Sequence, residues 1–133
     1  SARVGIPAAK LGLVYSLEHC QRLTATVGLG NARRMLYRGD IVSASSAREM
    51  GFFDDLVQGD ALAAAIAFGA PMASNAPLSV AASKRTLSAI AMGQAQANMA
   101  AIVDAFQKAD RSRDAIEGAR AFAEKRPPVF SGE

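Results

Sequence analysis

A nearly uncharged stretch, residues 61–103, constrains the fold of this chain more than any other feature. Lys84 and Arg85 are its only charged residues, and much of the remainder is alanine. Alanine favours the helix strongly, and a helix that is apolar on most of its faces is normally buried against neighbours. The stretch therefore predicts helices that are covered by other parts of the fold or by other chains.

A membrane span is the first alternative for this stretch, because about twenty apolar residues are enough to cross a bilayer. Pro71, Asn75 and Pro77 interrupt the run, and alanine contributes little transfer free energy. The chain begins without a charged segment followed by an apolar one, and Cys20, its only cysteine, cannot form an intrachain disulfide. We therefore expect a cytoplasmic protein that does not span a membrane.

Charge and metal-ligand patterns exclude two further classes. The net charge is +3, but acidic residues follow the arginine cluster at 33–38 closely, and the chain has no basic stripe interleaved with aromatic residues and no helix-turn-helix spacing. This pattern predicts no binding to nucleic acid. His19 is the only histidine and lies beside the only cysteine, so no metal-ligand spacing exists and we expect no metal site.

Apolar spacing and capping residues predict a mainly α fold with at most two short strands. Strands are expected in residues 1–15 and at Phe52–Val57, while Ser16, Asp60 and Pro77 are expected to begin helices. Glycines are expected to end several of them. The helices are predicted at residues 16–27, 31–37, a short segment after Ser43 or Ser46, 61–74, 77–92, 94–109 and 114–125.

Several short phrases follow one another along the chain: SARVGIPAAKLGL at 1–13, QRL at 21–23 with VG at 27–28, NAR at 31–33, Gly39 with Ala44 and Ala47, GF at 51–52 with Val57, APL at 76–78 with Lys84, and EGARAFAEKRPPVF at 117–130. In this order and spacing they resemble the C-terminal half of the enoyl-CoA hydratase (crotonase) superfamily. The last phrase is the most specific.

This resemblance implies an architecture for the whole chain. Residues 1–133 would form a single unit, the helical C-terminal portion of a crotonase fold, without the N-terminal spiral core. Residues 1–60 would close the core layer, and residues 61–133 would form helices that cover CoA and assemble subunits. Members of the family commonly form trimers or pairs of trimers, so the resemblance implies a homo-oligomer.

The same resemblance implies an incomplete catalytic site. The family's oxyanion hole and the first hydratase glutamate would lie upstream of Ser1, and Ala8 stands at the position of the second glutamate. Tyr15, Glu18 and His19 would border the acyl pocket and are candidate proton-transfer groups. Alternatively, Glu18 is a carboxylate that complements the helix dipole, and His19 is an ordinary exposed helix residue.

Coenzyme A binding is implied at the end of the chain. The family's adenine-contacting phenylalanine matches Phe122, and its phosphate-contacting lysine matches Lys125. Alternatively, Phe122 is a core residue and Lys125 a cation at a helix end. CoA would enter as part of the substrate, with no covalently bound cofactor.

Two functions remain open. The resemblance implies an acyl-CoA hydratase or isomerase that would be inactive as this chain alone, and the loss of the glutamate at Ala8 places hydration in doubt. The alternative is a non-enzymatic helical module that oligomerises through the uncharged stretch.

Overall fold

The computed structural model describes residues 2–133, so Ser1, which begins the first matched phrase, lies outside the described residues. The fold is mainly α, with two short strands. The chain divides into two compact units, Ser1–Gln58 and Gly59–Glu133. The resemblance implies one unit, residues 1–133, with a core-layer part at 1–60 and a helical part at 61–133, and that organisation stays a prediction.

The first unit contains two strands, a 3-10 helix and two α-helices. Strand β1 pairs antiparallel with β2, and Val4 lies opposite Val42. Gly5 approaches β2 closely: a β-carbon built on it would lie 2.6 Å from the Asp40 carbonyl oxygen. The elements are β1 (Arg3–Gly5), the 3-10 helix (Pro7–Leu11), α1 (Leu17–Arg38), β2 (Ile41–Ser43) and α2 (Ala44–Glu49).

Helix α1 is bent at one residue. Gly28 has φ 74° and ψ 161°, which only glycine adopts readily, so two helices meet there without a loop. The Asn31 side-chain amide donates to the Val27 carbonyl oxygen at 3.0 Å, next to the break. The predicted interruption at Gly28 and the end at Gly39, which is left-handed at φ 59°, are both confirmed.

The core of the first unit is formed by α1 and the segments around it. Its buried apolar residues are Ile6, Ala8, Leu23, Val27, Ala32, Met35 and Met50.

The strand predicted at Phe52–Val57 is wrong, since these residues form bends and loop. Gly51 turns the chain in a left-handed conformation at φ 80°. Phe52 then packs against the core and meets the ring of Phe53 edge-on, with the ring centroids 5.4 Å apart. The second strand is instead the unpredicted Ile41–Ser43.

The second unit consists of α3 (Ala61–Ala73), α4 (Pro77–Ala91), α5 (Met99–Asp110) and α6 (Arg113–Glu124). Asp60 begins α3 as predicted, because its Oδ1 accepts from the backbone N–H of Leu62 and Ala63 at 2.9 and 3.2 Å. Pro77 opens α4, as predicted. Helix α4 packs against α5, and α5 contacts α6.

Two helices of the second unit do not begin where they were predicted. Helix α5 begins five residues later than expected, at Met99, after a turn in which the Asn98 backbone N–H and side-chain amide both donate to the Gln94 carbonyl oxygen. Helix α6 begins one residue early, at Arg113, because the Ser112 hydroxyl accepts from the Ala115 N–H at 3.1 Å.

Helix α3 has no buried residue within the described chain, and Leu62, Ile66 and Phe68 are exposed. No single helix among residues 2–133 is long and apolar enough to cross a bilayer. Helices α3 and α4 would qualify together by length and composition, but they are bent by 114° at their junction. What covers these helices stays a prediction.

The chain end folds back along α6 and forms what we call the C-terminal clasp, residues 126–133 held by Asp114 and Glu117. Asp114 is only 3% exposed and accepts from the backbone N–H of Ser131 and Gly132, at 2.7 and 2.9 Å. Glu117 accepts from the Val129 N–H at 3.0 Å. The clasp therefore fixes the extended tail by backbone hydrogen bonds to two helix carboxylates.

Candidate functional site

The position matched to the second hydratase glutamate is structural in this chain. Ala8 lies in the 3-10 helix, is 8% exposed and belongs to the core of the first unit. Its carbonyl oxygen accepts from the Leu13 N–H at 2.9 Å. A methyl group neither takes nor gives a proton, so this side chain contributes no acid–base chemistry.

The three pocket candidates lie together at the beginning of α1. The rings of Tyr15 and His19 are tilted by 55°, with centroids 5.4 Å apart. Between them, the Ser16 hydroxyl caps the helix by accepting from the His19 N–H at 3.3 Å. The same hydroxyl lies 3.0 Å from His19 Nδ1. The local cap geometry thus brings a hydroxyl, an imidazole and a phenol into one cluster.

The Glu18 carboxylate is held by a different neighbour. Its Oε1 accepts from Arg22 Nη2 at 2.8 Å, one helical turn along, and both side chains are exposed. A carboxylate in the first turn also interacts favourably with the helix dipole. Glu18 therefore has the geometry of the alternative role expected for it, that of a helix-stabilising carboxylate.

The two predicted CoA residues lie at the end of α6. Phe122 is 88% exposed in this chain and takes no part in the core of the second unit, while its role in CoA binding or in packing stays a prediction. Lys125 ends the helix in a left-handed conformation, with φ 53° and ψ 40°. It is the only residue other than glycine with positive φ in the part of the chain that the structure describes. The Phe122 ring and the Lys125 ammonium, three residues later in the chain, are thus both exposed at the surface.

An ion-pair cluster adjoins these residues and was not predicted as such. The Arg126 guanidinium donates to both oxygens of Glu117, at 2.6 and 2.9 Å, and to Glu124 at 2.6 Å. Hydrogen bonds from Arg126, and then from the Val129 N–H, lower the pKa of Glu117 to about 2. Glu117 and Arg126 are nine residues apart, which is not a helical spacing that would predict a contact. They meet because the chain reverses direction at Lys125.

No group of three or more histidine, cysteine, aspartate or glutamate side chains that could hold a metal ion occurs within residues 2–133. In the second unit Asp60 caps a helix, Asp104 forms an ion pair and Asp114 holds the clasp.

Comparison with known proteins gives one consistent family match. Residues 1–133 match the family model described as enoyl-CoA hydratase/isomerase. A 2,3-dehydroadipyl-CoA hydratase of Escherichia coli is 32% identical over 133 residues, covering 99% of this chain and 52% of that protein. An enoyl-CoA isomerase/hydratase of Mycosarcoma maydis is 29% identical over 137 residues, covering 99% of this chain and 48% of that protein.

Solved structures agree with these matches. The crystal structure of an enoyl-CoA hydratase from Mycobacterium tuberculosis superimposes with a TM-score of 0.84 at 35% identity, covering all of this chain and 53% of that one. An enoyl-CoA hydratase from Bacillus anthracis gives 0.79 at 30% identity, covering 52% of its chain. The chain thus spans about half the length of the relatives it matches.

Proposed function

Because this chain belongs to the enoyl-CoA hydratase/isomerase family, we propose that it forms the C-terminal part of an enzyme that acts on acyl-CoA thioesters. The observation that carries the proposal is the match of all 133 residues to relatives of twice the length. The order of the matched phrases, ending in EGARAFAEKRPPVF, supports assignment to the C-terminal half. The chemistry that stabilises an enolate-like intermediate would then come from the other half.

This proposal implies that the 133-residue chain is inactive alone and that a full-length protein containing it is active. Ala8 lacks a proton-transfer group, so a full-length protein would need another residue for that step, or would catalyse an isomerisation or another reaction of the family. Turnover of crotonyl-CoA by the full-length protein tests hydration directly. A protein with no acyl-CoA affinity in full-length form would contradict the proposal.

Among the three pocket candidates, we propose His19 as the proton-transfer group. The Ser16 hydroxyl accepts from the His19 backbone N–H and also lies 3.0 Å from His19 Nδ1, so it anchors the imidazole at the start of α1. The Tyr15 ring limits rotation of the imidazole from one side. Glu18 is less suited, because its carboxylate is paired with Arg22.

Substitution of His19 in the full-length protein tests this assignment. We expect His19→Gln to lower kcat by about 100-fold, the usual size of a general acid–base contribution. Ser16→Ala is expected to lower kcat less and to change its pH dependence, because Ser16 acts by positioning the ring. Steady-state kinetics against pH measures both effects.

Glu18→Gln is the discriminating comparison. A large loss of kcat in Glu18→Gln, with His19→Gln unchanged, would transfer the role to the carboxylate. Lys108→Gln, on exposed α5, serves as a surface control in the same assays.

For CoA binding we propose Phe122 and Lys125, one for the adenine ring and the other for phosphate. Phe122 is 88% exposed, so its ring is open to a planar ligand. Stacking of a base on an aromatic ring contributes enough binding free energy to be measured by substitution. The Lys125 ammonium suits phosphate as a point charge.

Phe122→Ala in the full-length protein is expected to weaken CoA binding about tenfold, by loss of stacking. Lys125→Ala is expected to weaken it less and only at low salt, because exposed charges are screened at higher ionic strength. Isothermal titration at two salt concentrations measures both. Phe106→Ala provides the matched control, since this ring on α5 is also exposed. Equal effects of Phe106→Ala and Phe122→Ala would contradict the assignment.

The non-enzymatic helical module is the second candidate, and one observation favours it. Phe68, Leu87 and Phe106, one from each of three helices, are each 65% exposed. Exposed apolar patches are typical of surfaces that bind other chains. The two proposals are compatible, because family members assemble through such helices. Self-association without acyl-CoA affinity in the full-length protein would favour the module alone.

A further inference from the structure

An open surface cavity of about 460 Å³ lies beside α4, within the second unit. One face of α4 forms the wall of the cavity. Residues four apart on a helix lie on the same face, and the lining residues of α4 have this spacing. The turn that connects α4 to α5 closes one end, with the side chains of Gln94 and Asn98. Two adjacent rows of α4 line the wall: Lys84, Ser88 and Met92 in one, and Ala81, Arg85 and Ala89 in the other.

The positive charge of this cavity has no compensation within the described chain. Lys84 and Arg85 are the only charged residues from 61 to 103, and no ion pair of residues 2–133 includes either of them. The flanking acids are already used, since Asp60 caps α3 and Asp104 pairs with Lys108 at 2.9 Å. Two cations of like sign therefore flank one concavity, where their fields add.

The remaining lining suits a small polar ligand with a defined position. The Ser88 hydroxyl and the Gln94 amide can both donate hydrogen bonds beside the two cations. The Gln94 backbone is fixed, because its N–H donates to the Ala89 carbonyl oxygen at 2.8 Å. Ala89 is buried and Met92 half-buried, so the floor of the cavity is apolar.

We propose that this cavity binds a small phosphate-bearing molecule, with its phosphate between Lys84 and Arg85. A phosphate dianion matches the two positive charges, and a guanidinium can bind two of its oxygens at once. The Lys84 ammonium adds a point charge, and Ser88 adds a neutral donor. A carboxylate carries half of that charge and offers fewer oxygens, so it would bind more weakly. The proposal rests on the cavity alone and does not depend on the proposed enzymatic role.

Titration of the 133-residue chain with inorganic phosphate at low ionic strength tests the proposal. Backbone amide chemical shifts are followed by NMR, and saturable shifts are expected at Ser88 and Gln94. The double variant Lys84→Gln/Arg85→Gln is expected to weaken binding by about tenfold or more, since it removes two charge-assisted contacts. Acetate, titrated in parallel, is expected to bind more weakly than phosphate.

The matched control is Lys108→Gln/Arg111→Gln, which removes the same charge from the same unit but outside the cavity. It is expected to change phosphate affinity less than twofold. Equal weakening by both double variants would show general surface attraction and overturn the proposal, as would the absence of saturable shifts. Acetate binding as tight as phosphate would overturn the choice of ligand. Circular dichroism checks the fold, and the single variants replace a double variant that does not fold.

Discussion

Replacing Gly5 by alanine is expected to lower the free energy of unfolding of the first unit by about 3 kcal/mol, the upper part of the range for overpacking. The added β-carbon would lie 2.6 Å from the Asp40 carbonyl oxygen and 2.9 Å from the Ile41 α-carbon. Both are backbone atoms, so no side chain can rotate away to make room. Relief requires β1 and β2 to separate, which would break their hydrogen bonds.

Gly30→Ala is the matched control for this substitution. Gly30 lies in α1, and its added β-carbon would meet nothing within 4 Å. Alanine is the better helix former, so this variant is expected to gain about 0.5–1 kcal/mol. Urea unfolding followed by circular dichroism compares the two variants. Unchanged stability of Gly5→Ala would mean that the strands do not approach each other as closely as the structure shows.

Removal of the Asp114 carboxylate is expected to release the C-terminal clasp, with Asp114→Ala losing about 3 kcal/mol of the free energy of unfolding. The carboxylate is buried and holds two backbone N–H groups, those of Ser131 and Gly132, at 2.7 and 2.9 Å. Hydrogen bonds to a charged acceptor are stronger than neutral ones. Asp114→Asn keeps the shape but loses the charge, so it is expected to have an intermediate effect.

Amide hydrogen exchange gives the local readout for the clasp. Ser131 and Gly132 are expected to lose protection in Asp114→Ala, ahead of any change in α4. Asp104→Ala is the control, because it removes an exposed aspartate whose ion pair with Lys108 has little effect on stability. Retained protection at Ser131 and Gly132 would show that Glu117 and Arg126 hold the tail without Asp114.

Local chemistry explains the parts of the fold that could be predicted. Ser16 and Asp60 begin helices because their side chains accept hydrogen bonds from backbone N–H groups of the first turn. Pro77 begins a helix because it has no backbone N–H that would need a partner there. Gly28 and Gly39 interrupt or end α1 because they adopt positive φ. These effects depend on a few consecutive residues, so the sequence shows them directly.

Contacts between distant residues explain the parts that could not be predicted. Strand β2 exists because Ile41–Ser43 meets Arg3–Gly5, and neither segment alone is long enough to indicate a strand. The clasp likewise joins Asp114 to residues 17 and 18 positions later. The sequence left Phe122 open between a ligand contact and a core position, because contacts with distant residues decide whether an apolar helical residue is covered.

The candidate site shows the same division. The contact of Ser16 with His19 follows from three-residue spacing at a helix start, which the sequence contains. The pairing of Glu18 with Arg22 follows from four-residue spacing. The cavity beside α4 depends on where the turn at 94–98 places Gln94, and that turn was predicted as helix.

The register of β1 on β2 has a consequence for the order in which the chain folds. Gly5 pairs with Ile41 across a loop that contains the whole of α1, whereas in the second unit α4 contacts α5 and α5 contacts α6, each the next helix along the chain. Closing a long loop costs more chain entropy than joining neighbours, and helices form within about a microsecond. We therefore expect the strand pair to form late, after α1 has shortened the distance between its ends, and the second unit to reach its native contacts first.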